Sequence, residues 1–274
     1  MIRADLHIHS AISDGSQSIG EILDAAARVR LTHIALTDHD TAAGFSIARA
    51  LGEKRGIRVI PGVEFSAYDY THGVRAHILG YGMRDFEPIE ALGGPLLAKR
   101  HANSLQQINV LRELGYNISL EEVAAKAGRH IYKQHIMHVM VEKDYAESIG
   151  GETFRKLFKN GGPCDFDIEY LDARDAVRAI KEAEGLAVLA HPGQQGNYRC
   201  IPALKDAGLG GLELMHHANG RESRLRIAGA AASHGLLLTG GSDSHGLYEP
   251  DSPAVGAYLC PEETILRMKD LGIC

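Results

Sequence analysis

RADLHIHSAISDGSQSIGEILDAAARVRLTHIALTDHD, residues 3–40, decides the fold. Its opening RADLHI reads as a strand, because apolar and polar residues alternate with the period of two that a pleat imposes. Ser18 and Glu21 then stand three apart ahead of an apolar-periodic run, the spacing of a capping box, which predicts a helix through about Val29. THIALT follows as a second strand. Strand, helix, strand is the building unit of a parallel sheet.

Outward from this unit the alternation continues with a helix over roughly 42–55 and the strands IRVIPGVEF and VRAHILGYG. After residue 85 the rhythm changes: helices are predicted over roughly 96–115, from a Ser119/Glu122 capping box, over 132–143 and over 152–160. The β/α alternation resumes with a helix from Asp172, the strand LAVLAH, a helix near 200–207, the strand GGLELM, a helix from about 220, and the strand GLLLTGG. AVGAYL is expected as a further strand before a last helix. This succession predicts an α/β fold, a parallel and barrel-like sheet spanning 1–94 and 166–274 with a small helical subdomain, 95–165, inserted into it.

Bulk properties narrow the functions. At 274 residues the chain can bury one sizeable core or two modest ones. Its net charge of −6 provides no global positive field for long double-stranded nucleic acid, whereas a small anionic ligand needs only a local patch. The four cysteines, Cys164, Cys200, Cys260 and Cys274, form no C-x-x-C pair, which suits a reducing compartment, so the cytoplasm is the expected location. No apolar run reaches the ~18–20 residues of a membrane span, and acid and histidines occupy the place of a signal peptide's apolar region, so neither export nor anchoring is expected.

Polar residues recur at the predicted strand ends: Asp5, His7 and His9, then Asp38 and His39, Glu64, His77 in the fourth strand, His191, and finally Asp243 and His245. In a parallel α/β barrel these ends meet on one face, where active sites are built. His7 and His9, two apart on one strand, point the same way and can hold one ion together, while Leu6 and Ile8 pack on the other side. Asp14 follows in a Ser-Asp-Gly turn. Imidazole with carboxylate suits borderline divalent ions such as Zn, Mn or Fe, and differs from an all-oxygen Ca site or a thiolate Zn site. A lone histidine at a strand end is usually a hydrogen-bonded structural residue; ten polar residues at successive ends are not independent accidents.

DLHIHS with SDG, ALTDHDT, GVEFS, HILGY, AVLAHPG and GGSDSHG resemble, in order and spacing, the motifs of the PHP (polymerase and histidinol phosphatase) metal-dependent phosphoesterases. The likeness spans 1–82 and 170–246. It implies a distorted (β/α)7 barrel with a trinuclear centre of Mn, Fe or Zn. Carried over by position, His7, His9, Glu64 and Asp243 hold the first ion, Asp14, His39 and His245 the second, and a bridging Glu64 with His77 and His191 the third. A water bridging two ions loses its proton near neutral pH and attacks phosphorus in line. His191, Asp243 or His245 then moves a proton to or from the leaving oxygen. Neither G-x-S-x-G nor a catalytic-cysteine signature is present.

The resemblance is strongest to short bacterial members with a helical insert, which act on nucleoside 3',5'-bisphosphates or short 5'-phosphorylated RNA. It makes these, or other small phosphorylated metabolites, the expected substrates, with a ribose cyclic phosphate or histidinol phosphate as alternatives. A Thr-Arg-x-His stretch touches substrate phosphate in such members; here the place reads YKQH, so Lys133 stands for the arginine, beside His135. Lysine keeps the charge and loses the bidentate fork. Arg199 and His216 are further candidate phosphate contacts. From other classes, a two-metal amidohydrolase needs a carboxylated lysine on a middle strand, and none ends a strand here; a non-catalytic accessory domain usually loses ligands, and all nine positions are filled.

Overall fold

A computed structural model describes residues 1–249 and 252–274 of the chain. Its strands are β1 Ala4–Asp5, β2 His33–Ala35, β3 Arg58–Ile60, β4 Gly62–Phe65, β5 Ala67–Asp69 and β6 Val74–Arg75. They continue with β7 Ile78–Tyr81, β8 Leu171–Asp172, β9 Leu186–Leu189, β10 Gly211–Met215 and β11 Leu237–Gly240. The predicted capping box is present: Ser18 and Glu21 cap a helix Ile19–Arg28, whose Ile19, Ile22, Leu23 and Ala26 form the buried stripe.

The strands form three sheets, ordered β1-β2-β3, β11-β10-β9-β7-β4 and β6-β5-β8. Two features depart from the expected parallel arrangement. β7 runs antiparallel to both β4 and β9. Between β4 and β7 the chain makes only the short β5–β6 excursion, with no crossover helix to return it in the same direction. The sheets also join through single bridges, Ile8 to Ser244 and His39 to Glu64, and not through continuous ladders. Main-chain bonds line both seams, with Leu6 donating to Gly240 and His9 to Ser244 at one, and Glu64 to Asp38 and Asp40 to Glu64 at the other.

AVGAYL forms a turn and not a strand. Gly256, at φ +84°, donates its N–H to Asp5 Oδ2 and Tyr258 donates to Ser242 Oγ, so side chains take the bonds a neighbouring strand would have taken. After β7 come helices Glu87–Glu113, Leu120–Ala124, Lys133–Glu142 and Glu152–Phe158. The first of these starts earlier than expected and runs through Pro95. Ile89 in its first half joins the apolar core around Val63, Ile78 and Leu189, whereas Ile108 and Leu111 pack into a separate cluster with Ile136, Met140 and Phe158. One long helix therefore ties the helical region to the sheet core.

Candidate metal centre

Beyond β1 the pleat sorts side chains as the alternation requires. Leu6 and Ile8 are fully buried in apolar clusters, while the rings of His7 and His9 stand 5.3 Å apart. Glu64 comes from β4, His77 from the residue before β7, His191 from beyond β9, and Asp243 and His245 from the loop after β11. Three of the strand-end residues have left-handed backbone without being glycine: Asp40 at φ +62°, His191 at +28° and Asp243 at +54°. Such strain persists where surrounding structure dictates it.

Four donor atoms converge first. His7 Nε2 lies 3.3 Å from Glu64 Oε2 and 3.1 Å from Asp243 Oδ1; His9 Nε2 lies 3.1 and 3.2 Å from the same two oxygens. Ligands at ordinary zinc bond lengths in a tetrahedron sit about 3.3 Å apart, so the spacing suits one ion. His7 Nε2, both ring nitrogens of His9, and Asp243 Oδ1 are buried without a hydrogen-bond partner among the described residues. Four such orphaned atoms would be costly unless an ion satisfied them.

A second group gathers His9, Asp14, His39 and His245. Asp14 Oδ1 is 3.4 Å from His9 Nδ1 and 3.6 Å from His245 Nε2, so His9 faces two groups, one with each ring nitrogen. Glu64 also faces two ways. Its Oε1 is 3.1 Å from both His77 Nδ1 and His191 Nε2, and its Oε2 turns to the first group and to His39. The third compact group is His39, Glu64 and His77, with His191 on the far side of Glu64 Oε1.

Burial disfavours every charge here. For His9 the carboxylates of Asp243, Glu64 and Asp14 outweigh it and push the ring up to about 10. Glu64 and Asp243 are held well below the usual carboxylate range against the same burial, largely by His7. At His77 burial prevails over Glu64 and lowers the ring to about 4. Protons and divalent ions compete for these lone pairs.

Hydrogen bonds around the cluster fix tautomers. His245 Nδ1 is 3.0 Å from the Asp243 carbonyl, which can only accept, so Nε2 is the nitrogen left facing Asp14. His216 Nδ1 accepts from the Ala218 N–H, so its Nε2 carries the hydrogen and donates to Asp243 Oδ2 at 3.1 Å. His216 therefore stands behind Asp243, fully buried. Asp5 and Asp38, which the strand-end pattern groups with the ligands, instead clamp loops. Asp5 takes the N–H and hydroxyl of Ser242, and Asp38 takes the hydroxyls of Ser10 and Ser13 next to Asp14.

Two cavities adjoin the cluster. One of about 480 Å³ is lined by Glu64, His191, Asp243 and His245 together with Arg75 and Glu249. The other, about 180 Å³, reaches from Asp14 under the helical region to Arg100, Lys133, Lys159 and Asp167. His39, Arg75, His77 and Gln134 line both. Lys133 thus faces a cavity beside the cluster, paired with Asp167 at 3.3 Å. His135 is buried behind it, its Nδ1 accepting the Tyr132 N–H and its ring edge-on to Tyr248. Arg199 is exposed on the turn Tyr198–Cys200, outside both cavities.

Sequence reasoning missed Arg75, Arg100 and Glu213. Arg75 was signalled: it stands two residues before His77 and so shares its face. Glu213, fully buried in β10, stands between two leucines in GGLELM, and nothing in the sequence points to its partners.

An α/β protein whose strand ends gather buried histidines and carboxylates around unsatisfied lone pairs, beneath a cationic cavity, has the construction of a metallohydrolase. The sequence profile of the PHP domain matches residues 5–187, and the chain belongs to this family. It is 45% identical over 247 residues to the phosphoribosyl 1,2-cyclic phosphate 1,2-diphosphodiesterase of Eggerthella lenta, covering 89% of this chain and 94% of that one. To the 3',5'-nucleoside bisphosphate phosphatase of Chromobacterium violaceum it is 30% identical, covering 89% and 88%. A solved structure from Bifidobacterium adolescentis, assigned as a metal-dependent phosphoesterase, superposes with a TM-score of 0.89 at 27% identity over 99% of this chain and 96% of that one. The chain is a metal-dependent phosphoesterase. Among its described residues no helix is long and apolar enough to cross a membrane.

Proposed function

We propose that the chain hydrolyses a cyclic phosphate of ribose, phosphoribosyl 1,2-cyclic phosphate or a close analogue, opening the ring and then releasing phosphate. The nucleoside 3',5'-bisphosphate expected as best substrate gives way to this ester, because identity is 45% to the cyclic-phosphate enzyme and 30% to the bisphosphate phosphatase. The phosphoester chemistry itself rests on one observation: the buried quartet His7, His9, Glu64 and Asp243, with its orphaned donor atoms, borders a cavity that carries Arg75.

Three divalent ions, Mn, Fe or Zn, are assigned to His7, His9, Glu64 and Asp243; to Asp14, His39 and His245; and to Glu64, His77 and His191. When bound, such ions neutralise phosphate oxygens and bring the pKa of water near neutrality. The chain's own side chains do the rest. Arg75, at the junction of the cavities, and Lys133 orient the anionic remainder of the substrate. Of the three expected proton carriers, Asp243 already takes the His216 N–H, and His245 donates Nδ1–H to a carbonyl. His191 Nδ1 has no hydrogen-bond partner among the described residues but is buried, so proton transfer at the leaving oxygen stays assigned to the three together. The adjoining cavities of about 180 and 480 Å³ suit a small phosphorylated substrate. The bridged seams support reading the sheets as a distorted seven-stranded barrel, and the separate apolar cluster supports residues 95–165 as an inserted subdomain.

The test is a ³¹P NMR time course with Mn and a panel holding the cyclic ester, adenosine 3',5'-bisphosphate, short 5'-phosphorylated RNA and histidinol phosphate. The cyclic-ester resonance should disappear fastest and inorganic phosphate should follow, both steps abolished by H9A or D243A. Faster turnover of the bisphosphate would refute the substrate assignment.

A further inference from the structure

We infer that Glu213 is a positioning residue for the metal centre: one buried carboxylate fixes which nitrogen His7 offers and anchors the strained main chain at His191. The inference rests on the reading above that His7 and His191 hold ions. Glu213 Oε1 is 2.9 Å from His7 Nδ1. A carboxylate only accepts, so the hydrogen of His7 sits on Nδ1 and the Nε2 lone pair faces Glu64 and Asp243. That Nε2 is one of the buried atoms without a hydrogen-bond partner, as a ligand atom should be. Glu213 Oε2 accepts the His191 N–H at 2.9 Å, at the residue whose φ is +28°.

The local fold is shaped to present this carboxylate. The pairing of β10 with β11 shifts register between Glu213 and Met215, a bulge that re-aims side chains. Asn219 braces the bulge, its Nδ2 donating to the carbonyls of Glu213 and Leu214 while its Oδ1 accepts the Gly193 N–H two residues beyond His191. Glu213 lines neither cavity, so it acts through its neighbours and not on substrate. His7, Glu213 and His216 cluster closely enough to suggest a further ion. The tautomer of His216 argues against one, because its Nδ1 accepts an N–H and its Nε2 donates to Asp243, leaving no lone pair for a metal. Glu213 behind His7 and His216 behind Asp243 are parallel braces on two ligands of one ion.

E213Q preserves size, and its oxygen can still accept from His7. Its amide then confronts the His191 N–H, donor against donor. Zinc affinity of the chelator-stripped and refilled protein, measured by competition with a chromophoric chelator, should fall about 10–100-fold in E213Q. In ¹⁵N-labelled, zinc-loaded wild type, ring-nitrogen correlations should put the His7 hydrogen on Nδ1. Zinc affinity in E213Q within twofold of wild type, or a His7 hydrogen on Nε2, would overturn the inference. If E213Q does not fold, the nitrogen measurement on wild type decides alone. A wild type that takes up no zinc would refute the ligand reading itself, and this inference with it.

Discussion

Replacing Arg100 with methionine should destabilise the protein far more than a surface arginine would. Arg100 leaves the helix Glu87–Glu113 and places Nη2 3.1 Å from Asp40 Oδ2 and 2.8 Å from Ser66 Oγ, its guanidinium 5.1 Å from the Tyr132 ring centre. Asp40 is wholly buried, and its other oxygen takes the Ser66 N–H at 2.7 Å. Methionine keeps the apolar stem and removes the charge, stranding a buried carboxylate with one remaining donor. Breaking one side of such a pair costs about 3–5 kcal/mol. With a urea m-value of about 3 kcal/mol/M, the midpoint of the metal-free protein should drop by about 1–1.7 M. D40N should cost a similar amount, and the double variant much less than the sum, with a coupling of about 2–3 kcal/mol. Urea unfolding followed by circular dichroism measures all four corners of the cycle. A midpoint shift for R100M below about 0.3 M, or additive single costs, would show that the pair does not tie the helical region to the ligand strand as argued.

Other expectations concern protons and packing. His9 is raised in the folded, metal-free chain from its ordinary 6.5 to about 10, so its contribution to stability is complete below pH 6.5 and lost as pH climbs through 10. The stripped protein should therefore melt lower at pH 10 than at pH 6.5, as differential scanning calorimetry would register. Zinc must displace that proton, so metal addition in weak buffer at pH 7 should acidify the solution, and affinity should rise with pH across the same window. Gly93 on the long helix approaches Asp40 so closely that an added Cβ would meet its carbonyl oxygen at 1.9 Å. G93A should cost about 1–3 kcal/mol or more in the same urea assay.

Much of the site was legible because its ligands obey strand periodicity. His7 and His9 are two apart with Leu6 before and Ile8 between them, Glu64, His191 and Asp243 come at or just after apolar runs, and His77 immediately precedes one. Partners remote in sequence were not legible. Nothing in the local pattern around Arg100 announces a carboxylate 60 residues earlier, and Glu213 between two leucines reads as the solvated face of a strand until β9 and β11 are seen on either side. AVGAYL alternates as a strand should, yet its N–H groups go to Asp5 and Ser242, whose positions only the assembled fold defines.

The same tension explains why the ligands were easier to find than the sheet they close. Glu64 reaches the cluster from within a strand, but other residues at the strand ends turn their backbone. Asp40, His191 and Asp243 each do, at positive φ where a ladder cannot continue. Pairing at these ends consequently shrinks to single bridges, His39 to Glu64 and Ile8 to Ser244, between or beside ligands. Side chains replace the lost ladder bonds: Asp38 holds the Ser10 N–H, Asp5 the Ser242 N–H and Glu213 the His191 N–H. Three buried carboxylates that bind no ion in this reading are thus the structural counterpart of those that do, each restoring a main-chain bond that the site's geometry removes.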